Sequence, residues 1–239
     1  MKLLAALLSV LSLLVPSLVM AQSFVENTYV QLQAGQSSAG FSGLDFVNPT
    51  GAQFTSSPTS GDKIILGNVD KSDASSVMSL TVGGSLSDAM SVSLSYLSLN
   101  KLSATGDANF GGAVTQKLNI SGTGILAGLG TKLDMDAFYI EPKLEVGYSQ
   151  LSADGTQGTN ANSKFPQNTN SGFVGGISVT AAYPINAVMD VVGTLSYHNF
   201  GKVKTGTTGT PAPSGMNAGE RLESSLAVTS IGIGVRYSF

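Results

Sequence analysis

Glu141, Lys143, Glu145 and Arg236 are the residues best placed by type and spacing to do chemistry. Glu141, Lys143 and Glu145 alternate with Ile140, Pro142, Leu144 and Val146. Successive side chains of an extended strand point to opposite faces, so the three charges share one side. Arg236 takes the corresponding side of the final stretch, where Ile231, Ile233, Val235, Tyr237 and Phe239 claim the other. Two acids and two bases in a confined interior read as a compensated network, because an unpaired buried charge is costly. Such a network could gate a path for protons or ions, or simply fill the space. Filling is the expectation, since a narrow closed sheet has room only for its own side chains.

The single histidine invites a hydrolytic reading. Asn199 and Phe200 follow His198, with no serine two residues on. Glu220 and Glu223 stand near the same end, yet no nucleophile is specified beside an oriented base. His198 is therefore expected to be a solvated residue at the rim, and the chain is not expected to be an enzyme. A lone histidine with scattered aspartates matches no metal-ligand spacing. There is no cysteine, which excludes disulfides, thiolate metal sites and a lipid-anchored cysteine. The glycine-rich runs GTGILAGLG and GFVGG lie inside strand patterns, so they are packing glycines rather than phosphate loops, and no cofactor is expected.

The elements that must position these residues follow from period two. Met78, Leu80, Val82 and Leu86 face one way, against Ser79, Thr81, Gly83 and Ser85; Met90, Val92, Leu94 and Tyr96 repeat the pattern against Ser91, Ser93 and Ser95. One face is continuously apolar and the other small and polar, as a membrane-spanning barrel with lipid outside requires. Eight such segments are expected: 27–35, 76–86, 90–99, 117–130, 136–150, 172–183, 188–199 and 222–239. Their connections alternate between tight turns (87–89, 131–135, 184–187) and four long external loops (36–75, 100–116, 151–171, 200–221) rich in Gly, Ser, Thr, Asn and Pro. The fold class is all-β, an antiparallel up-and-down barrel of eight strands. Ten is the alternative if 63–69 (KIILGNV) forms a hairpin instead of extending the second strand. Because Leu118 and Ile120 have opposite parity to Ile125, Ala127 and Leu129, a β-bulge is expected near 122–124.

Aromatic residues give an independent measure. Phe138 and Tyr148 lie ten residues apart on one rising strand, Phe173 and Tyr183 ten apart on a descending one. At ~3.3 Å per residue and about 40° of tilt, ten residues span on the order of 25 Å, the height between the two aromatic girdles of such a barrel. Tyr96 and Tyr197 fall at the upper level, Tyr237 and Phe239 at the lower. Five further aromatics, Phe41, Phe46, Phe54, Phe110 and Phe165, fall in the expected external loops. They could contact a host or neighbouring-cell surface, or pack the loops against one another.

Composition sets the compartment. Met1-Lys2 precedes an apolar run from Leu3 to Val15, Pro16 breaks it, and Val19-Met20-Ala21 offers a cleavage site before Gln22. Residues 1–21 read as a cleaved signal peptide and 22–239 as the barrel domain; an uncleaved anchor is the alternative. Charged residues are only 11% of the chain, well below the ~25% of ordinary soluble domains. Without Lys2, the 12 basic residues become 11 against 15 acidic, which disfavours a nucleic-acid partner.

Ile233, Val235, Tyr237 and Phe239 resemble the terminal strand that outer-membrane proteins present to the barrel-assembly machinery, a mode suited to strand addition. Tyr139-Ile140-Glu141-Pro142-Lys143-Leu144 and LSYHNFGKVKT (195–205) resemble strands of the opacity-type, OmpA-like family of small outer-membrane barrels. His198 and Asn199 depart from that pattern, which commonly has Arg and Tyr there. The resemblance implies a location in the outer membrane of a Gram-negative-type bacterium, among its lipid, with assembly machinery and periplasmic chaperones as partners. It further implies loose roles in adhesion, surface exposure and envelope integrity. A non-enzymatic surface barrel is the leading expectation, a narrow porin for small solutes the second and a lipid A-modifying enzyme a distant third.

Overall fold

Alternation along the chain becomes eight long antiparallel strands: β1 Glu26–Val47, β2 Ser75–Ser85, β3 Met90–Asn109, β4 Ala113–Thr131, β5 Phe138–Gln157, β6 Lys164–Asn186, β7 Met189–Lys204 and β8 Arg221–Ser238. The structure, a computed structural model, describes residues 26–48, 59–60, 63–71, 75–110, 112–158, 163–210, 212 and 216–239. The expected signal peptide at 1–21 and Phe54 lie outside the described residues. Each strand pairs with its sequence neighbours, and β8 pairs with β1 to close the ring. Closure leaves no free sheet edge across the bilayer, the condition for strands to span it.

One row of paired residues measures the ring. It runs from Tyr29 through Gly83, Ser93, Gly128, Glu145, Gly176, His198 and Val228, and returns to β1 at Ala39, ten residues beyond its start. Eight strands with that stagger tilt by about 40° and enclose a backbone radius of about 8 Å. Side chains must fill so narrow a bore.

The strands are longer than expected. β3 and β5 have 20 residues each and β6 has 23, so at that tilt they rise about 50 Å, twice the apolar band. Most of the stretches expected to be loops at 36–75, 100–116 and 151–171 are therefore strand ladder. β1 continues to Val47, and β3 and β4 turn around Phe110. Lys63–Ile65 pairs with β1 and Gly67–Lys71 with β3, so the 63–69 stretch extends the second strand; Lys63 and Ile64 also pair antiparallel with Ser60 and Thr59, and the ring stays at eight.

Where the apolar residues point changes with height. In the lower half Leu144, Val146, Ile231 and Ile233 are outside and exposed, while Gln31, Ser93, Thr180 and Ser196 are buried inside. In the upper half Phe41, Phe46, Leu102, Leu118, Ile120, Leu151, Phe165, Leu222 and Leu226 are inside and form one core. Ser38, Lys101, Gln150, Asp154, Lys202 and Thr229 face out there. β4 keeps a single parity throughout, with Leu118, Ile120 and Leu126 all buried. The bulge expected near 122–124 is absent from its ladder with β5, and the register shift lies on β3 between Leu99 and Leu102. The apolar residues of β4 change sides because its surroundings do, from hydrocarbon to water.

Burial in the upper core is that of a soluble protein. Phe46 is fully buried and meets the rings of Phe110 and Phe165 edge-on at 5.3 and 6.1 Å. Phe46→Ala should cost about 3–5 kcal/mol, read as denaturant unfolding of the refolded protein. Ile65→Ala, on the exposed outer wall, should stay within about 1 kcal/mol.

Candidate functional site

Sequence parity alone puts Glu141, Lys143, Glu145 and Arg236 in the bore, and the structure brings them together. Arg236 and Glu141 reach across the lumen from strands that are not neighbours: Nη2 donates to Glu141 Oε2 at 2.7 Å. Arg236 Nε donates to Gln31 at 2.8 Å and Nη1 to the Tyr139 hydroxyl at 2.9 Å. That hydroxyl in turn donates to Asp190 at 2.6 Å. Lys143 lies 3.2 Å from Glu141 and donates to the Tyr29 hydroxyl at 3.0 Å. The Arg236 guanidinium stacks 3.9 Å over the Tyr29 ring, a contact that gains strength where water is excluded.

Glu145 does not join Arg236. It pairs with His198 at 3.0 Å, one level higher. His198 is therefore a buried lumen residue and not the solvated rim residue expected from sequence. Its place follows from the parity of Asp190, Val192, Thr194 and Ser196 on β7, all pointing inward. Asp190, Tyr29 and Tyr139 complete the network and were not singled out from sequence; Asp190 shares the inward parity of its strand, which is the signal that could have found it. Three acids, Glu141, Glu145 and Asp190, now face Arg236, Lys143 and His198.

Glycines make room for these groups. A Cβ at Gly83 would meet the Tyr29 ring at 2.6 Å, one at Gly176 the His198 ring at 2.4 Å, and one at Gly130 the Lys143 stem at 2.7 Å. Above the charges a small cavity of about 60 Å³ is lined by Gln33, Ser79, Thr180, Ser196, Glu145 and His198, among others. It holds a few waters at most. The apolar core begins immediately above, at Val228, Leu97, Leu126 and Phe200. No continuous polar path through the described residues follows from this stacking of network, small cavity and apolar core.

The remaining sequence candidates separate by height and side. Tyr96, Phe138, Tyr148, Phe173, Tyr183 and Tyr197 are all exposed on the outer wall, as are Ile233, Val235, Tyr237 and Phe239. Tyr148 and Phe173 meet edge-on at 6.1 Å. Phe41, Phe46 and Phe165, by contrast, are buried inside the upper barrel, and Phe110 packs against them. Of their two readings, packing is the one that the geometry fits: Phe41, Phe46 and Phe165 present almost no surface to an outside partner, and Phe110 keeps only part of its ring exposed. The cause is strand extension, which converts expected loop into wall with an inside.

At the mouth, Lys63 bridges Glu223 at 2.8 Å and Asp45 at 3.5 Å, while Arg221 holds Glu223 at 2.7 Å. Burial would raise the Glu223 carboxyl, but the hydrogen bonds from Lys63 and Arg221 outweigh it and hold the group below its ordinary value. Burial pushes Glu220 up, against the donation from Asn217 at 2.8 Å. Among the described residues the Glu220 carboxylate bonds Asn217, and that of Glu223 bonds Lys63 and Arg221. Among the described residues no group of three or more His, Cys, Asp or Glu could hold a metal ion.

Comparison with known proteins places this geometry. A family model described as the autotransporter beta-domain matches residues 51–238. Among solved structures, OprG from Pseudomonas aeruginosa is 12% identical, with 90% of this chain and 97% of that one covered at a TM-score of 0.50. Neisserial surface protein A is 14% identical over 89% of this chain and 97% of that one, at 0.45. Ail of Yersinia pestis is 8% identical over 89% and 99%, at 0.40. No curated protein matches in sequence. The fold is that of an outer-membrane β-barrel.

Two neighbouring substitutions test the inside and outside faces. Lys143→Glu would set a third acid beside Glu141 and Glu145 and strip the Tyr29 hydroxyl of its donor, lowering stability by about 3–5 kcal/mol. Leu144→Glu would instead place a charge in lipid and reduce the folded, membrane-inserted fraction. Denaturant titration and heat-modifiable gel migration read the two effects, and normal insertion of Leu144→Glu would reverse the assignment of faces.

Proposed function

Because the chain belongs to the autotransporter beta-domain family and lies in the outer membrane of a Gram-negative bacterium, we propose that it is a non-enzymatic surface barrel. It displays a rigid, water-facing collar and serves as an envelope component that adheres to host or neighbouring-cell surfaces. The observation that carries this reading is the apolar core filling the upper barrel. A filled core holds the projecting strands as a fixed platform, and the hydroxyl, amide and lysine side chains of their outer faces become the contact surface. The buried phenylalanines support it from within.

Residues 1–21 supply export, after which periplasmic chaperones and the assembly machinery would read the outward row Ile233, Val235, Tyr237 and Phe239. A narrow pore is the second reading, favoured by the polar cavity beside Glu145 and His198.

Planar-bilayer recording of the refolded protein separates the two. Silence is expected, since the network and the apolar core both block the bore; a steady conductance that rises in Lys143→Glu would establish the pore instead. Adhesion is tested by expressing the barrel on a non-adherent cell. Binding to epithelial or bacterial surfaces should increase severalfold, and unchanged binding would remove the adhesive role.

A further inference from the structure

The upper part of β7 changes sides at a single glycine. Asn199 is exposed and Phe200 buried, so simple alternation would turn Lys202 and Lys204 into the barrel. Gly201 interrupts it with φ of 72°, a left-handed conformation that glycine adopts without strain, and the β7–β8 register shifts at the same point. The Asn199 side chain caps the bulge by accepting from the Gly201 N–H at 2.9 Å. Beyond it Val203 is buried and Lys202 and Lys204 are both exposed on the outer wall.

The second lysine is held firmly at its backbone. Asn170 of β6 accepts from the Lys204 N–H at 3.0 Å and donates to its carbonyl at 2.8 Å, and Asn168 donates to that carbonyl at 3.3 Å. Asn170 stands three residues beyond Phe173, the most exposed of the large apolar side chains at 84%. Three residues of tilted strand rise about 8 Å. The headgroup layer of a bilayer is roughly 5–8 Å deep on each side of the hydrocarbon. Phe173 at the top of the apolar band thus sets Lys204 at headgroup height, and Lys202 lies between, with stems long enough to lean toward the interface.

Among the described residues no acid neutralises the pair. Glu223, the register partner of Lys204, is committed to Lys63 and Arg221, and with Asp45 that cluster sums to zero. Ser225 stands opposite Lys202. Two exposed cations, unpaired among the described residues, at headgroup height above an exposed aromatic ring complement an anionic headgroup attached to acyl chains.

We propose that Lys202 and Lys204, with Phe173 beneath them, form a docking site for a phosphate-bearing glycolipid of the outer leaflet. The lysines take the phosphate as point charges and Phe173 packs on the acyl chains below it. The inference rests on the membrane location, not on adhesion, and stands whether or not the collar binds cells.

The test uses the refolded full barrel in phosphatidylcholine vesicles with and without bis-phosphorylated lipid A. The lipid should raise the temperature at which the heat-modifiable band converts, and native mass spectrometry should show the bound lipid. Lys202→Gln with Lys204→Gln should bind it about thirtyfold more weakly, given about 1 kcal/mol per lysine near an anionic surface, and lose most of the thermal shift. Lys132→Gln with Lys164→Gln, matched in charge but away from the site, should keep both. Heat-modifiable migration in phosphatidylcholine vesicles without lipid A verifies that each variant is folded. Equal binding by the two double variants, or by dephosphorylated lipid A, would overturn the proposal. So would the same thermal shift from inorganic phosphate, which would make the site one for free anions.

Discussion

Everything in this barrel depends on one boundary, the height at which the medium around its wall changes from hydrocarbon to water. Below it, an unsatisfied polar group outside costs several kcal/mol, and apolar side chains there cost nothing. Above it, the same apolar side chains gain about 25 cal/mol for each Å² removed from water. A strand that continues through both media must therefore exchange its inner and outer chemistry on the way. β5 does so between Tyr148, exposed outside, and Leu151, buried inside; β8 does so between Ile231 outside and Val228 inside. Backbone pairing runs on unbroken through the exchange in both strands.

The lower interior meets a second demand. Side chains must fill it while avoiding isolated charge, and the solution is cross-lumen pairing with space cleared by glycine. Arg236 illustrates both: it satisfies Gln31, Tyr139 and Glu141 at once and lies flat on Tyr29. Such a network contributes little net stability relative to a well-packed apolar filling, but it strongly disfavours any arrangement that separates its members. It thereby reinforces the register of the four strands that carry it.

Much of this was legible in sequence, and the misreadings share a cause. Glu141, Lys143, Glu145 and Arg236 were placed inside by parity, because an unbroken two-residue period leaves no alternative within the band. The eight strands and the outward aromatics followed in the same way. Phe41, Phe46 and Phe165 fall in expected loops because their segments are rich in Gly, Ser, Thr and Asn, which in this protein mark the water-facing wall of a strand, whereas Phe110 does lie in the β3–β4 turn. The opposite parities of Leu118 and Ile125 read as a bulge when the ladder was regular and the surroundings had changed. His198 was misplaced at the rim because strand length was underestimated. Which acid each base selects across the bore, Glu145 with His198 or Glu141 with Arg236, depends on the stagger of distant strands, and local pattern carries no record of it.

The ten-residue return of the paired row, from Tyr29 to Ala39, also makes the diameter of this barrel a discrete quantity. Side chains alternate with period two, so a slip of one residue at the β1–β8 seam would turn an entire strand inside out. The smallest allowed slip is two residues, which would change the backbone radius by less than about 1 Å while breaking every hydrogen bond along that seam. Intermediate widths do not exist. The register of the wall therefore changes like a ratchet with widely separated teeth, and no slip smaller than two residues keeps its inner and outer faces in place.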